Sequence, residues 1–281
     1  MLVSVILPCF GHATTLPAAL RSLQAQTYSQ WECLVINDGG GAAVDAAIEA
    51  FAAEDSRFRR ETFAENQGRG AARQRGLELA RGRFIASLDA DDAYLPEKLQ
   101  RQVELLGAHP RLAAVSSAMV VVDGAGQSQG IRGAAPGVEL RRCRPGHPLR
   151  TAFAPMMLRR EVARTARFDP TLERAEDLAF LWRALAHRRY AVLPEPLYAY
   201  REEYSPEAME IALKGFSCQR QAVRDLDLPR AEAALRVAGS YLRTAVYGAA
   251  RAMGRGAWLF ERRNSRGPIS PISPPARRAY P

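Results

Sequence analysis

The chain has 281 residues, of which 47% are hydrophobic, and it carries a formal net charge of +9. This apolar share is enough for a sizeable core in one or two domains. No apolar run reaches the roughly 18 residues that a membrane-spanning helix needs, so no such helix is expected. The basic excess favours anionic partners, but no basic run is interleaved with aromatic residues, so nucleic acid is not an expected partner.

Cysteine and histidine usage limits the compartment and the kind of metal site. The four cysteines show no CxxC spacing and fit buried thiols in a reducing interior, such as the cytoplasm, better than a disulfide framework. The four histidines are scattered, so a histidine-based metal site has no support. The apolar start of the chain lacks a basic leader and a long hydrophobic core, and we interpret it as a first strand instead of a signal peptide.

The N-terminal part of the chain alternates strand and helix patterns. Apolar runs predict strands at 3–7 and 31–36, and a short strand is expected near 58–63. Helical patterns follow at about 15–26 and 43–54, and a third helix begins in the glycine-containing segment 65–76 and ends at Gly82. Repeated strand–helix units imply a parallel sheet with right-handed crossovers. The predicted fold class is therefore α/β, with a Rossmann-like, mainly parallel sheet flanked by helices.

Acidic residues follow two of the predicted strands. Asp38 follows the second strand in a glycine-rich turn, and Asp89, Asp91 and Asp92 follow a buried strand at 84–88. Ligands of open α/β sheets bind in the crevice beyond the carboxyl ends of the strands. Because Mg²⁺ is held by one or two carboxylates together with phosphate oxygens, the Asp cluster predicts a metal-held nucleotide diphosphate. A solvated turn, with Asp92 capping the next helix, is the alternative.

The segment 65–76 has a second feature of a nucleotide site. Small residues at a helix start permit close contact with a ligand, and the exposed amides there favour anions. Arg73 is the side chain of this segment that we expect to contact the ligand, with a solvated arginine face as the alternative. The third glycine of the dinucleotide fingerprint is missing, so that motif is not predicted.

The second half of the chain is predicted to complete the site. An apolar run predicts a strand at 112–122, and residues 124–146 are expected to form a loop on the acceptor side. Residues 153–158 predict a strand that returns to the site. A helix opens at Glu176 and Asp177, where capping of the helix and a catalytic role would each explain the acidic pair.

Two helices, at 208–226 and 230–253, are expected to pack on the catalytic domain. The second helix and its end carry a basic face formed by Arg236, Arg243, Arg251 and Arg255. This face would either be solvated or touch a membrane surface that carries a lipid-linked acceptor. The predicted divisions are a catalytic domain at 1–204, a helical extension at 205–263, and a disordered tail rich in proline and arginine at 264–281.

Four segments of the chain carry a family resemblance when they are taken together and in order. They are VSVILPCFG, LQAQTYSQWECLVINDGG, ENQGRGAARQRGLELARGRFIASLDADDAYLPEKL, and MMLRREVARTARFDP followed by AEDLAFLWRAL. The chain resembles family 2 glycosyltransferases, which have the GT-A fold, over about residues 2–202. The resemblance implies an inverting, metal-dependent enzyme that moves a sugar from a nucleotide-diphosphate donor, with UDP-sugars favoured, to a hydroxyl of a glycan or lipid-linked acceptor.

The resemblance also implies a role for each matching residue on the donor side. Pro8 and Phe10 would flank the base of the donor nucleotide. Asp38 and Arg73 would contact the base, and Asp89 the ribose.

Three further residues would act at the reacting groups. Asp91 would hold the Mg²⁺ or Mn²⁺ that bridges the diphosphate, and Arg201 would meet the phosphate. Asp177 would be the base that deprotonates the acceptor hydroxyl.

Two other classes of function stay open at this stage. A nucleotidyltransferase also uses an α/β sheet and an Asp-bound metal, but it releases pyrophosphate from a nucleoside triphosphate. A non-catalytic nucleotide-sugar-binding or glycan-binding relative would bind donor without turnover. The acidic residues at 89, 91 and 177 argue against the second alternative. The expected location is cytoplasmic, with peripheral membrane contact as a further expectation.

Overall fold

The computed structural model describes residues 1–133, 135–149, 151–202 and 205–259. The strands are β1 (Val3–Cys9), β2 (Trp31–Asp38), β3 (Phe58–Phe63), β4 (Phe84–Ser87), β5 (Ala93–Tyr94), β6 (Leu112–Val122), β7 (Ser128–Arg132), β8 (Glu139–Arg142), β9 (Met157–Arg159) and β10 (Arg189–Arg201). The helices are α1 (Leu16–Gln24), α2 (Ala42–Glu54), α3 (Arg69–Leu79), α4 (Lys98–Ala108), α5 (Arg160–Ala163), α6 (Glu176–Ala184), α7 (Pro206–Arg224) and α8 (Arg230–Ala252).

The strands form one mixed sheet in the order β3-β2-β1-β4-β9-β6-β10-β5. β1 is parallel to both β2 and β4, and β2 is parallel to β3. The carboxyl ends of these strands therefore lie at one edge of the sheet, and the register pairs Cys9 with Asn37. This confirms the predicted α/β class and brings the acidic turns after β2 and β4 to the same edge, on either side of β1.

Two hydrophobic clusters cover the two faces of the sheet. All seven residues of β1 are buried because alternate side chains point to opposite clusters: Val5 and Leu7 belong to the first, and Ile6 to the second. The first cluster includes apolar residues of α1, α2 and α4, and the second includes those of α3, α6 and α7. A strand that is covered on both faces consists almost entirely of apolar residues, and this is why β1 could be predicted from the sequence.

Two expectations for the middle of the chain are wrong. Residues 124–146 are not only a loop, because β7 pairs with β6 and β8 pairs with β10. Both strands are short and largely exposed, so they lack the apolar run that marks a buried strand. Of the strand expected at 153–158, only Met157 and Leu158 pair in the sheet, as part of β9. The preceding residues turn, with Met156 N donating to the carbonyl of Phe153.

The predicted helical extension is present as α7 and α8. The two helices pack on each other, and Ala222 and Val223 of α7 join the second hydrophobic cluster. None of the described helices is long and apolar enough to cross a bilayer. The division at residue 204 stays a prediction, and the tail expected at 264–281 lies outside the described residues.

Candidate active site

A cavity of about 610 Å³ opens at the carboxyl ends of β1, β2 and β4. Most of the sequence-predicted site residues line this first cavity: Pro8, Phe10, Asp38, Asp89, Asp91 and Arg201. Phe10 is 51% exposed at its rim, whereas Pro8 is buried. The strand order thus gathers side chains from distant parts of the sequence around one space.

A second cavity, of about 920 Å³, adjoins the first and is bounded by α6, α7 and α8. Asp177 lines this cavity and not the first one. The two cavities share the lining residues Arg69, Asp91, Arg174, Tyr200 and Arg201. The predicted metal ligand therefore lies where the two spaces meet, and the predicted base lies on the far side of that junction.

Asp38 is held by the loop that precedes α3. Its Oδ1 accepts from the amide of Gln67 at 2.7 Å, and its Oδ2 accepts from the amide of Gly68 at 2.9 Å. Burial raises the pKa of Asp38, and the two amides oppose that shift. Gly39 has φ +75°, and a side chain there would collide with the backbone of Asn66. The turn after β2 and the loop before α3 therefore fit together as one wall of the first cavity.

The three carboxylates after β4 occupy different environments. Asp92 is buried and accepts from Tyr198 Oη and from the amide of Arg201, both at 2.7 Å. It does not cap the next helix, which begins at Lys98, so that alternative is wrong. Asp91 is half-buried and lines both cavities, and burial followed by the charge of Asp89 raises its pKa.

Arg73 lies beneath the cavities instead of lining them. Its Nη1 donates to Glu176 Oε1 at 2.5 Å, and its Nη2 donates to Asp89 Oδ1 at 2.8 Å. The side chain is nearly inaccessible, with 2% of the residue exposed. Its contact with the donor base stays a prediction, and the observed bonds join the start of α6 to the end of β4.

The start of α6 directs its two acidic side chains differently. Ala175, just before the helix, has a positive φ of 57°. Glu176 is buried against Arg73, and burial raises its pKa while the charge of Arg73 opposes the shift. Asp177 is half-buried in the second cavity, and its Oδ1 accepts from the amide of Leu178 at 2.7 Å. The Arg73–Glu176 pair therefore fixes the helix end that presents Asp177.

Arg201 is anchored at the junction by backbone oxygens. Its Nε donates to the carbonyl of Asp91 at 3.1 Å, and its Nη1 donates to the carbonyl of Gly124 at 2.7 Å. These bonds orient the guanidinium beside Asp91 without a carboxylate partner in either bond. The Arg201 side chain lines both cavities, and an anion bound there could accept a charge-assisted hydrogen bond from its guanidinium.

Arg69 and Arg174 line both cavities and were missed by sequence reasoning. Burial lowers the pKa of Arg174, and the positive charge of Arg69 lowers it further. Arg69 Nε lies 3.6 Å from Glu176 Oε1, and both arginines line cavities in which an anion would be a further partner. In a chain with 39 lysine and arginine residues, no spacing singles out these two.

The carboxylates at the junction suit a divalent cation that is shared with a ligand. In the part of the chain that the structure describes, no group of three or more His, Cys, Asp or Glu residues forms a complete metal site. Mg²⁺ and Mn²⁺ sites in nucleotide-binding proteins commonly use one or two carboxylates and complete the coordination with phosphate oxygens and water. Burial and then the charge of Asp89 raise the pKa of Asp91, and a bound cation would offset both effects, so Asp91 with Asp89 nearby fits that donor set.

The sheet order and the acidic strand-end cleft define a GT-A class of fold. S. aureus TarS in complex with UDP matches 86% of this chain and 71% of its own, with a TM-score of 0.67 and 21% identity. A mannosyltransferase from Pyrobaculum calidifontis in complex with GDP-Man and Mn²⁺ covers 92% of this chain and 78% of its own, with a TM-score of 0.59 and 18% identity. At these identities the likeness shows the fold.

The family follows from the sequence match. The model of glycosyl transferase family 2 matches residues 4–166, more than half of the chain, so the chain belongs to that family. The Escherichia coli UDP-Glc:alpha-D-GlcNAc-diphosphoundecaprenol beta-1,3-glucosyltransferase WfgD is 36% identical over 105 residues, which are 37% of this chain and 41% of the relative. The chain matches less than half the length of such curated relatives.

Proposed function

We propose that the protein is an inverting glycosyltransferase that moves a sugar from a nucleotide-diphosphate donor to a hydroxyl of a glycan or lipid-linked glycan. The observation that carries the proposal is that Asp91 and Arg201 line both cavities while Asp177 lines only the second. Donor and acceptor would therefore meet at the junction, with an acidic metal-binding group on one side and a base on the other.

We propose that the donor binds in the first cavity. Its base would lie beside Pro8 and the exposed Phe10, with Asp38 as hydrogen-bond acceptor, and its ribose beside Asp89. Its diphosphate would lie at Asp91, with Arg201 and the pair Arg69 and Arg174 as cationic partners. We propose a UDP-sugar because the name of WfgD specifies UDP-Glc and TarS binds UDP in its structure.

We propose that the acceptor binds in the second cavity. Asp177 would take the proton of the acceptor hydroxyl as its oxygen bonds to the anomeric carbon and the bond to the diphosphate breaks, so that the electron pair leaves with the nucleotide. Arg73 and Glu176 position Asp177 without touching substrate. A Mg²⁺ or Mn²⁺ ion bound through Asp91 would neutralise the departing diphosphate.

The surroundings of the reaction are also part of the proposal. Buried Cys9, Cys33 and Cys143 suit a reducing compartment, so we place the enzyme in the cytoplasm. Membrane contact through the basic face of α8 has weaker support, since Arg236 pairs with Glu232 and Arg243 lies over the ring of Phe216. A lipid-linked acceptor would still bring the protein to a membrane surface.

The proposal is tested by a thermal-shift screen of UDP-, GDP- and dTDP-sugars with Mn²⁺. A bound donor raises the melting temperature by mass action, and the expected result is a shift with a UDP-sugar that is larger with Mn²⁺ than with a chelator. Slow hydrolysis of the same donor, seen as release of UDP, would show competence for transfer. Release of pyrophosphate from a nucleoside triphosphate, without a response to any nucleotide sugar, would contradict the proposal and identify a nucleotidyltransferase.

A further inference from the structure

The turn between β6 and β7, at residues 123–127, contacts an arginine of the candidate site. Arg201 Nη1 donates to the carbonyl of Gly124 at 2.7 Å and to the carbonyl of Asp123 at 3.4 Å. Arg201 lines both cavities, whereas Asp123 and Gly124 line neither. The β6–β7 turn therefore contacts a site residue without facing either cavity itself.

These carbonyl contacts hold the Arg201 guanidinium without neutralising it. A third carbonyl, that of Asp91, accepts from Nε at 3.1 Å. Within the part of the chain that the structure describes, Nη2 makes no hydrogen bond, so it is left for a ligand. A carbonyl carries no net charge, so the positive charge of Arg201 stays available to an anion. Holding a long side chain in place beforehand also reduces the entropy that is lost when the anion binds.

The carboxylate of Asp123 determines the shape of the β6–β7 turn. Its Oδ1 accepts from the amides of Ala125 at 3.0 Å and Gln127 at 2.8 Å, and its Oδ2 accepts from Gln129 Nε2 at 2.8 Å. The backbone closes the same turn, because the amide of Asp123 donates to the carbonyl of Gln127 at 3.0 Å. Aspartate often organises turns through such bonds. In this turn, the carbonyls that the carboxylate orders are the ones that contact Arg201.

The far end of β7 is attached to the same part of β10. Arg132 pairs with Glu202, and its Cζ lies 5.4 Å from the ring centroid of Tyr200. Tyr200 and Arg201 are adjacent, and both line the two cavities. The hairpin of β6 and β7 thus has a second contact beside the site, which should keep it in place when only the turn is altered.

We propose that Asp123 is a positioning residue for the donor: its carboxylate orders the β6–β7 turn, whose carbonyls hold the Arg201 guanidinium towards the diphosphate. The inference rests on the proposed function, because it takes the diphosphate as the anion at the junction. The sign of the effect separates this role from a simple charge effect. Removal of a negative charge near Arg201 would by itself favour an anion, whereas loss of the ordered turn would weaken its binding.

Titration calorimetry of UDP in the presence of Mn²⁺ tests the proposal. Asp123→Ala should weaken UDP binding about fivefold or more, and Arg201→Met should weaken it about tenfold or more. The double variant should bind UDP within about twofold of Arg201→Met alone, because the turn acts through that guanidinium. Additive losses, or an unchanged or tighter affinity in Asp123→Ala, would overturn the proposal.

Two further variants separate positioning from folding. Asp123→Asn keeps an oxygen for the two backbone amides, and the Gln129 amide can turn to accept from the new NH2 group, so this variant should bind UDP as the wild type does. Asp55→Ala removes another turn carboxylate, which accepts from the amide of Arg57 at 3.0 Å and lines neither cavity. It should leave UDP affinity unchanged. An Asp123→Asn variant as weak as Asp123→Ala, or an equal loss in Asp55→Ala, would overturn the proposal.

The same titrations distinguish a failure of this inference from a failure of the proposed function. Partial unfolding of a variant would lower the number of binding sites per chain and leave the affinity of the folded fraction unchanged. A wild type that does not bind UDP with Mn²⁺ would contradict the donor assignment, and the role of Asp123 would be overturned with it. A wild type that binds UDP, together with an unaffected Asp123→Ala, would overturn the positioning role alone.

Discussion

Arg73 and Glu176 form a buried ion pair across 103 positions of the chain, with 2.5 Å between Nη1 and Oε1. The same guanidinium reaches Asp89 at 2.8 Å, so one side chain connects α3, the end of β4 and the start of α6. Glu176 immediately precedes Asp177. The position of the proposed base therefore depends on a residue that does not line either cavity.

Removing this arginine should be strongly destabilising. Arg73→Met leaves two carboxylates without their buried cation, and the free energy of unfolding should fall by about 3–5 kcal/mol. Urea denaturation measures the change. Arg75→Met is the matched control, because Arg75 pairs with Glu61 on the surface and should lose no more than about 1 kcal/mol. If both variants lost the same free energy of unfolding, the buried Arg73 ion pair would contribute no more to stability than a surface pair.

Arg174 should contribute to donor affinity and not to folding. Its side chain lines both cavities, as that of Arg69 does, so a bound diphosphate would gain a charge-assisted hydrogen bond from it. Arg174→Met should weaken UDP binding in the presence of Mn²⁺ roughly tenfold or more. Titration calorimetry measures this affinity, with Arg167→Met as control because Arg167 is exposed and lines neither cavity. Unchanged UDP affinity in Arg174→Met would remove it from the donor site.

Lys98 should make stability depend on pH above neutrality. Its ammonium is buried, donates to Gln102 Oε1 at 2.9 Å and lies 4.1 Å from the ring centroid of Tyr94. Burial lowers the pKa of Lys98 from 10.5 to about 7. Between these values the unfolded chain binds more protons than the folded one, so the free energy of unfolding rises with pH, by up to about 1.4 kcal/mol per pH unit.

Urea denaturation of the wild type and of Lys98→Met is compared at pH values from about 6 to about 10, a range that covers most of the interval between the two pKa values of Lys98. The wild type should gain stability relative to the variant as pH rises from about 7. Below that pH the lysine is protonated in both states, and the difference between the two proteins should be constant. Parallel curves throughout would mean that the folded lysine titrates as it does in water.

Local sequence patterns determined most of the sheet. The strand predicted at Leu112–Val122 is present with those bounds because it is buried on both sides and reads as one apolar run. β7 and β8 were missed because exposed strands rich in arginine, glycine and glutamate resemble a loop. Their pairing with β6 and β10 is a tertiary effect that a local pattern does not contain.

The candidate site divides in the same way. The acidic turns at Asp38 and Asp91 were identified because each follows a recognisable strand, and parallel pairing brings their ends together. The burial of Arg73 depends on how α3 meets α6 and gives no local signal. Arg69 and Arg174 likewise come to line the same cavities only after folding, in a chain where arginine is common.

The most direct test of the account compares Asp177→Asn with Asp91→Asn in two assays, sugar transfer and Mn²⁺-dependent UDP binding by calorimetry. Asp177→Asn should bind UDP as the wild type does and lose transfer by about 100-fold or more, since the acceptor loses its base. Asp91→Asn should lose the increase in UDP affinity that Mn²⁺ gives the wild type. Near wild-type transfer by Asp177→Asn, or an undiminished Mn²⁺ effect in Asp91→Asn, would contradict a reaction centred on the junction of the two cavities.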